Sequence, residues 1–138
     1  MNQKFDLKGL PVLNSMHDQR VQHIEWKKNE LILHYENLQY NGANNFSKCN
    51  VIFYGVEEAD IIAEVRKKTS TGRVESIRYY DAEFIEFINK YRYSIETINF
   101  FYGYETVIIT ASLVNENNTY GEDCVMKISA TEIVYQWG

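Results

Sequence analysis

The run ETVIITASLV, Glu105 to Val114, constrains the fold more than any other stretch of the chain. It is dense in β-branched residues, whose stiff side chains suit a pleated surface better than a helix. Turn composition closes it on both sides, with Gly103-Tyr104 before it and NENNTYGED after it. A chain built around such a strand needs partners for both of its edges, so the remaining segments are read first for strands.

They supply them. Arg20 to Trp26 and Leu31 to Glu36 flank the polar turn Lys27-Lys28-Asn29-Glu30. The Asn-rich stretch NLQYNGANNFS reads as a loop. Lys48 to Val56 has the apolar run of a buried strand. Apolar residues alternate from Ile61 to Arg66, and KKTSTGR then gives a turn before a strand from Val74 to Tyr80. After Ser94 to Tyr102 and Glu105 to Val114, alternation returns at Cys124 to Ser129. Ala130-Thr131 makes a bend before Ile133 to Trp137. One segment has helical spacing: Phe84, Ile88 and Tyr91 in DAEFIEFINKYR predict a helix near residues 82–91, with Asp81 as its N-cap. The first ten residues are expected to fray. The sum is a mainly β protein of about nine strands and one short helix, joined by short connections without a βαβ rhythm. That combination predicts an antiparallel sandwich or a strongly curved sheet. No linker divides residues 1–138, and 138 residues suit a single domain.

Charge and composition narrow the function. The net charge of −5 argues against general nucleic-acid binding, which needs a basic surface, and favours a basic partner. The one basic concentration, Arg66, Lys67, Lys68 and Arg73, with Arg78 further along, reads as a solvated hairpin tip. No window approaches the roughly 18 apolar residues of a membrane span. The N-terminus has no signal-peptide pattern, so the chain is expected in the cytoplasm. Cys49 and Cys124 sit in apolar or alternating runs and are expected to be reduced, buried thiols. No cofactor is expected.

All three histidines fall between Ser15 and Tyr35. If Lys28-Asn29 is a two-residue turn, Lys27 pairs with Glu30, Trp26 with Leu31, Glu25 with Ile32, Ile24 with Leu33, and His23 with His34. The apolar set then shares the core face, and His23, His34 and Glu25 share the other. Val21 is out of phase, so a bulge is expected near Gln22 or His23. His23 and His34 side by side are candidate metal ligands, with Glu25, Glu36 or a distant strand as the third. No HxH or HExxH spacing supports them, and a polar solvent-facing surface accounts for the same residues. His17-Asp18 has no preceding histidine to complete a phosphohydrolase metal set. Asp18 is expected to bond local backbone amides at the entry to the first strand. Ser15 with these two cannot converge into a triad, and there is no GxSxG elbow.

Several stretches taken together carry a resemblance: HDQRV, IEWKKNELILHY, SIETINFFYGYETVIITASL and the closing ISATEIVYQW. The pattern resembles small uncharacterised β-rich proteins of Gram-positive bacteria, some of them linked to immunity against toxins. It implies a compact, cytosolic, β-rich protein that works by binding, and it transfers no site residue. The expected function is therefore a non-catalytic binding protein, an immunity-type inhibitor of a basic toxin being the specific form. Acidic and aromatic loop residues are the expected contacts: Glu57, Glu58, Asp60, Tyr102, Tyr104, Glu105 and Tyr120. The alternative is a small-molecule or metal-binding β protein or enzyme centred on the His23/His34 hairpin.

Overall fold

The computed structural model describes residues 1–9, 11, 13–38 and 46–138. Its strands are β1 (Asn2–Asp6), β2 (Arg20–Lys27), β3 (Glu30–Glu36), β4 (Lys48–Tyr54), β5 (Ile61–Lys68), β6 (Val74–Tyr80), β7 (Ser94–Gly103), β8 (Thr106–Val114), β9 (Tyr120–Ser129) and β10 (Glu132–Trp137). One helix, α1 (Ala82–Tyr91), lies between β6 and β7. All ten strands form one open antiparallel sheet in the order β1-β10-β4-β3-β2-β7-β8-β9-β5-β6.

The sheet has a seam. β2 and β7 pair only at Arg20↔Glu96 and Val21↔Ile95, which leaves a half of five strands on each side. The chain crosses between halves in the β4–β5 loop and returns at the expected Ala130-Thr131 bend. There the Ala130 N–H donates to the Glu105 carbonyl in one half (3.0 Å), and the Thr131 N–H to the Tyr54 carbonyl in the other (2.9 Å). A single buried cluster takes Leu33, Phe53 and Tyr135 from one half and Ile95, Ile109 and Met126 from the other. The sheet is thus folded over one apolar interior, which resolves the choice between two sheets and one curved sheet in favour of the latter. α1 packs on this interior through Phe84 and Ile88, one turn apart on the same helix face. Its C-terminus closes with Arg92 in the left-handed region (φ 51°) and the Tyr93 N–H returning to the Ile88 carbonyl (3.0 Å).

Three details differ from the sequence expectations. The N-terminus does not fray: Asn2 to Asp6 pairs along β10, from Asn2↔Gln136 to Asp6↔Glu132. In NQKFD only Phe5 is a large apolar residue, so the alternation was too sparse to read as a strand. β9 begins at Tyr120 rather than Cys124, because an irregularity between Ser112 and Val114 lets polar residues join the ladder. Asp81 stands at the N-cap position of α1, but its side chain makes no capping bond. Its carboxylate instead accepts the N–H groups of Ala59 (2.7 Å) and Ile61 (3.1 Å), tying down the β4–β5 loop. The Asn-rich loop falls mostly on residues 39–45, outside the described residues; at its ends the Leu38 N–H donates to the Ser47 carbonyl (3.0 Å).

The interior holds several weak acids in neutral form. Cys49 and Cys124 are free and buried, on strands of opposite halves. Burial pushes both thiols up to about 12. Burial also raises the Tyr35 and Tyr135 phenols well above their ordinary value. Tyr35 and the fully buried Thr97 satisfy each other across the interior, hydroxyl to hydroxyl at 2.7 Å. Unfolding returns these groups to ordinary values of about 8.5 for Cys and 10 for Tyr, so the unfolded chain loses protons first as pH rises. Their contribution to stability is fully present below about pH 8.5 and is lost progressively toward pH 12. Thermal melts at constant ionic strength should therefore show a midpoint that falls steadily from about pH 9 upward. An unchanged midpoint to pH 11 would contradict this account of the interior.

Candidate functional site

The β2–β3 hairpin places the histidines. Asn29 takes a left-handed φ of 60°, which closes the tight turn. The register is the expected one: Lys27↔Glu30, Trp26↔Leu31, Glu25↔Ile32, Ile24↔Leu33 and His23↔His34, with a bulge between Val21 and His23. Ile24, Leu31 and Leu33 are buried on the core face, and Trp26 packs against them. His23, Glu25 and His34 share the outer face.

The structure extends that face over the next strands. Pairing sets His23, His34, Asn50, Gln136 and Asn2 side by side across β2, β3, β4, β10 and β1. The neighbouring row carries Ile32, Ile52 and Val134, each at least 93% removed from solvent, with Tyr54 packed beside them. A polar row thus lies along an apolar one. The His23 and His34 rings lie 5.3 Å apart and 31° from parallel. His34 Nδ1 is 2.9 Å from Asn50 Oδ1, and Asn50 Nδ2 donates to Gln136 Oε1 at 3.5 Å. His34 Nε2 is 2.5 Å from Glu25 Oε1. That contact holds the Glu25 carboxyl below its usual value, with Lys27 at 3.7 Å assisting. The ligand atoms of His23, Glu25 and His34 all lie within 4.8 Å of one another. Glu36, the other candidate third ligand, is not among them.

The expected partner-binding residues divide between the two ends of the sheet. At one end the β2–β3 turn, the β4–β5 loop, the β7–β8 turn and the β9–β10 bend meet. Backbone bonds link them, from the Val56 N–H to the Asn29 carbonyl (3.1 Å) and from the Ser129 N–H to the Asp60 carbonyl (2.9 Å). Glu57 and Glu58 are exposed there and line a groove with Trp26, Lys27, Lys28, Tyr80 and Glu83. The Trp26 Nε1–H beside this groove is buried without an acceptor among the described residues. Asp60 serves the loop itself, accepting the Glu57 N–H at 2.8 Å. Tyr102 and Tyr104 are exposed at the β7–β8 turn, with Phe101 beside them, and Glu105 meets Lys8 at 3.6 Å. Tyr120 lies at the opposite end. Its hydroxyl donates to Glu96 (2.9 Å to either oxygen), accepts from Arg20 Nη2 (3.3 Å), and its ring lies under the Arg20 guanidinium. Arg20 also bonds Asn118.

His17-Asp18 forms the entry turn to β2, but not through Asp18 binding local amides. His17 Nδ1 meets the Ile98 carbonyl (2.6 Å) and Nε2 meets Asp18 Oδ2 (3.3 Å). The basic hairpin is partly self-neutralised, with Arg66 and Arg78 both on Glu64 (3.4 and 3.8 Å). Sequence reasoning missed Asn50 and Gln136 as neighbours of the histidines, because strand order is not written in a hairpin's own register. It also missed the Arg20–Glu96–Tyr120 cluster, whose members lie far apart in sequence.

The chain matches no protein-family model, no curated protein and no solved structure.

Proposed function

We propose that the protein is a non-catalytic binding protein that covers a basic surface of a partner, as an immunity-type inhibitor covers a toxin. The observation that carries this reading is the loop end of the sheet. Glu57, Glu58 and Glu83 converge there and outnumber Lys27 and Lys28 in the same groove; none of the three makes an ion pair among the described residues, while Lys27 is held by Glu25. Exposed Tyr102 and Tyr104 stand at the same end. Carboxylates without intramolecular partners keep their field for an incoming cation and speed association. Exposed tyrosines bury large area at little entropic cost when a partner arrives. Backbone bonds fix the loops in place, so little ordering remains to oppose binding.

The test is co-expression with each protein encoded beside this chain, scoring rescue from toxicity and direct binding. One neighbour is expected to be toxic alone and neutralised by this chain. For that pair, E57K with E58K should slow association about tenfold at low salt, with a smaller deficit as salt rises. Tyr120→Phe, at the far end, should leave the rate unchanged. Absence of any neutralised or bound neighbour sinks the reading, as does a charge reversal without effect on the rate.

A further inference from the structure

We propose that His23, Glu25 and His34 form a binding site for a transition-metal dication of the class that takes imidazole and carboxylate together, zinc foremost. The argument starts from hydrogen-bond accounting. Asn50 Nδ2 donates to Gln136, so Asn50 Oδ1 faces His34 Nδ1 as an acceptor and that nitrogen carries the proton. A neutral His34 then presents the lone pair of Nε2 to Glu25 Oε1, 2.5 Å away. Two acceptors do not approach so closely without a cation between them. The position between them is therefore one that favours a cation, and a dication placed there also gains His23, whose ring nitrogens have no hydrogen-bond partner among the described residues.

The geometry is within reach. Bonds of about 2.0–2.1 Å put the ligand atoms of a tetrahedral zinc site roughly 3.4 Å apart. The His34–Glu25 contact must open by about 1 Å, and the remaining separations, none above 4.8 Å, need close by no more than about 1.4 Å. His23 and Glu25 stand on one strand with outward side chains, so rotation of exposed groups supplies the change. Asn50 is the positioning residue. A metal-bound imidazole ordinarily donates its other N–H to an oxygen that fixes ring and tautomer, and Asn50 already does so for His34. Three protein ligands leave a fourth position for water or for a group on a bound molecule. The site lies on the outer face of the sheet and stands independently of the partner-binding reading.

The experiment titrates metal-free protein with Zn²⁺ by calorimetry and with Co²⁺ by absorption. One equivalent of each is expected, with a cobalt spectrum of nitrogen and oxygen ligation and a thermal midpoint that rises with Zn²⁺. His23→Ala and His34→Ala should each weaken binding more than tenfold; His23→Ala, at an exposed ring without a hydrogen bond among the described residues, should leave the metal-free midpoint close to that of the parent. Asn50→Leu should weaken it by about tenfold, and Asn50→Asp, which still accepts from Nδ1–H, should restore it. No uptake by the unaltered protein at millimolar metal overturns the proposal, whatever the variants do. So does a cobalt–thiolate band, which would put the metal on Cys49 or Cys124, or affinity unchanged when both histidines are replaced.

Discussion

Phe84→Ala is expected to destabilise the protein by about 4 kcal/mol, the usual scale for removing a buried phenyl ring. Phe84 is 1% exposed and, with Ile88 at 4%, fastens α1 to the shared interior. The ring cannot be replaced locally, because the remaining apolar helix residues, Ile85, Phe87 and Tyr91, are only partly buried or exposed. Ile85 and Phe87 pack only against the margin of the interior, where Phe87 stacks on Tyr79 at 4.5 Å and touches Tyr91 and Tyr93. Truncation therefore leaves a cavity beneath a helix of ten residues that is too short to stand alone in water. A loss of this size is a large fraction of the total stability of an ordinary domain. Urea unfolding should show the midpoint drop, and a thermal melt should fall by roughly 10 °C. Tyr91→Ala, at a 51% exposed position, serves as the control with a much smaller effect. A Phe84→Ala loss below about 1.5 kcal/mol would mean that the helix is not seated through this ring.

Asp81→Ala should cost about 3 kcal/mol, though it removes no apolar area. Its carboxylate, in a residue only 9% exposed, receives both the Ala59 and Ile61 N–H groups. Alanine leaves both donors without that acceptor, and the Ile61 amide, in a residue 1% exposed, is the costly one because water cannot replace its bond. Asp81→Asn is not expected to rescue. One carboxamide oxygen can take one amide, while its NH₂ then confronts the other. Equilibrium unfolding of both variants measures the cost. Hydrogen exchange at Ala59 and Ile61 locates it, since both amides should lose protection first. Near-parental stability in Asp81→Ala would show that the loop is held by other bonds. If the partner is carried by Glu57 and Glu58, the same variant should also loosen the surface they present.

The residues differ in how openly they announce these roles. The β2–β3 register was legible to the residue, because one turn and one apolar alternation determine it and a single slip would expose Leu31 and Leu33. The helix was legible from Phe84 and Ile88 for the same reason of period. Asp81 was misread because an aspartate before a helix has two uses, and only the approach of β5 decides between them. β1 was missed because an edge strand with one ring facing inward carries almost no period. Of the metal site, the His23/His34 pairing and Glu25 could be read from the hairpin alone. Asn50 and Gln136 could not, since they reach His34 through β4 and β10, whose place in the sheet depends on long-range pairing.

That long-range pairing also orders events in time. β1 lies against β10, and the Met1 amino group bonds the Trp137 carbonyl across 136 residues of chain. On a ribosome, β1 emerges long before the strand that pairs with it. β4 must likewise wait for β10 on one side, while β3 is already beside it. During synthesis the free edge of β4 is therefore exposed, with Cys49, Val51 and Phe53 on the face that will later be sealed. A nascent chain in that state presents a sticky strand edge, the kind of surface that chaperones cover. Completion of the sheet by its tenth strand is a late, slow step set by topology rather than by local preference.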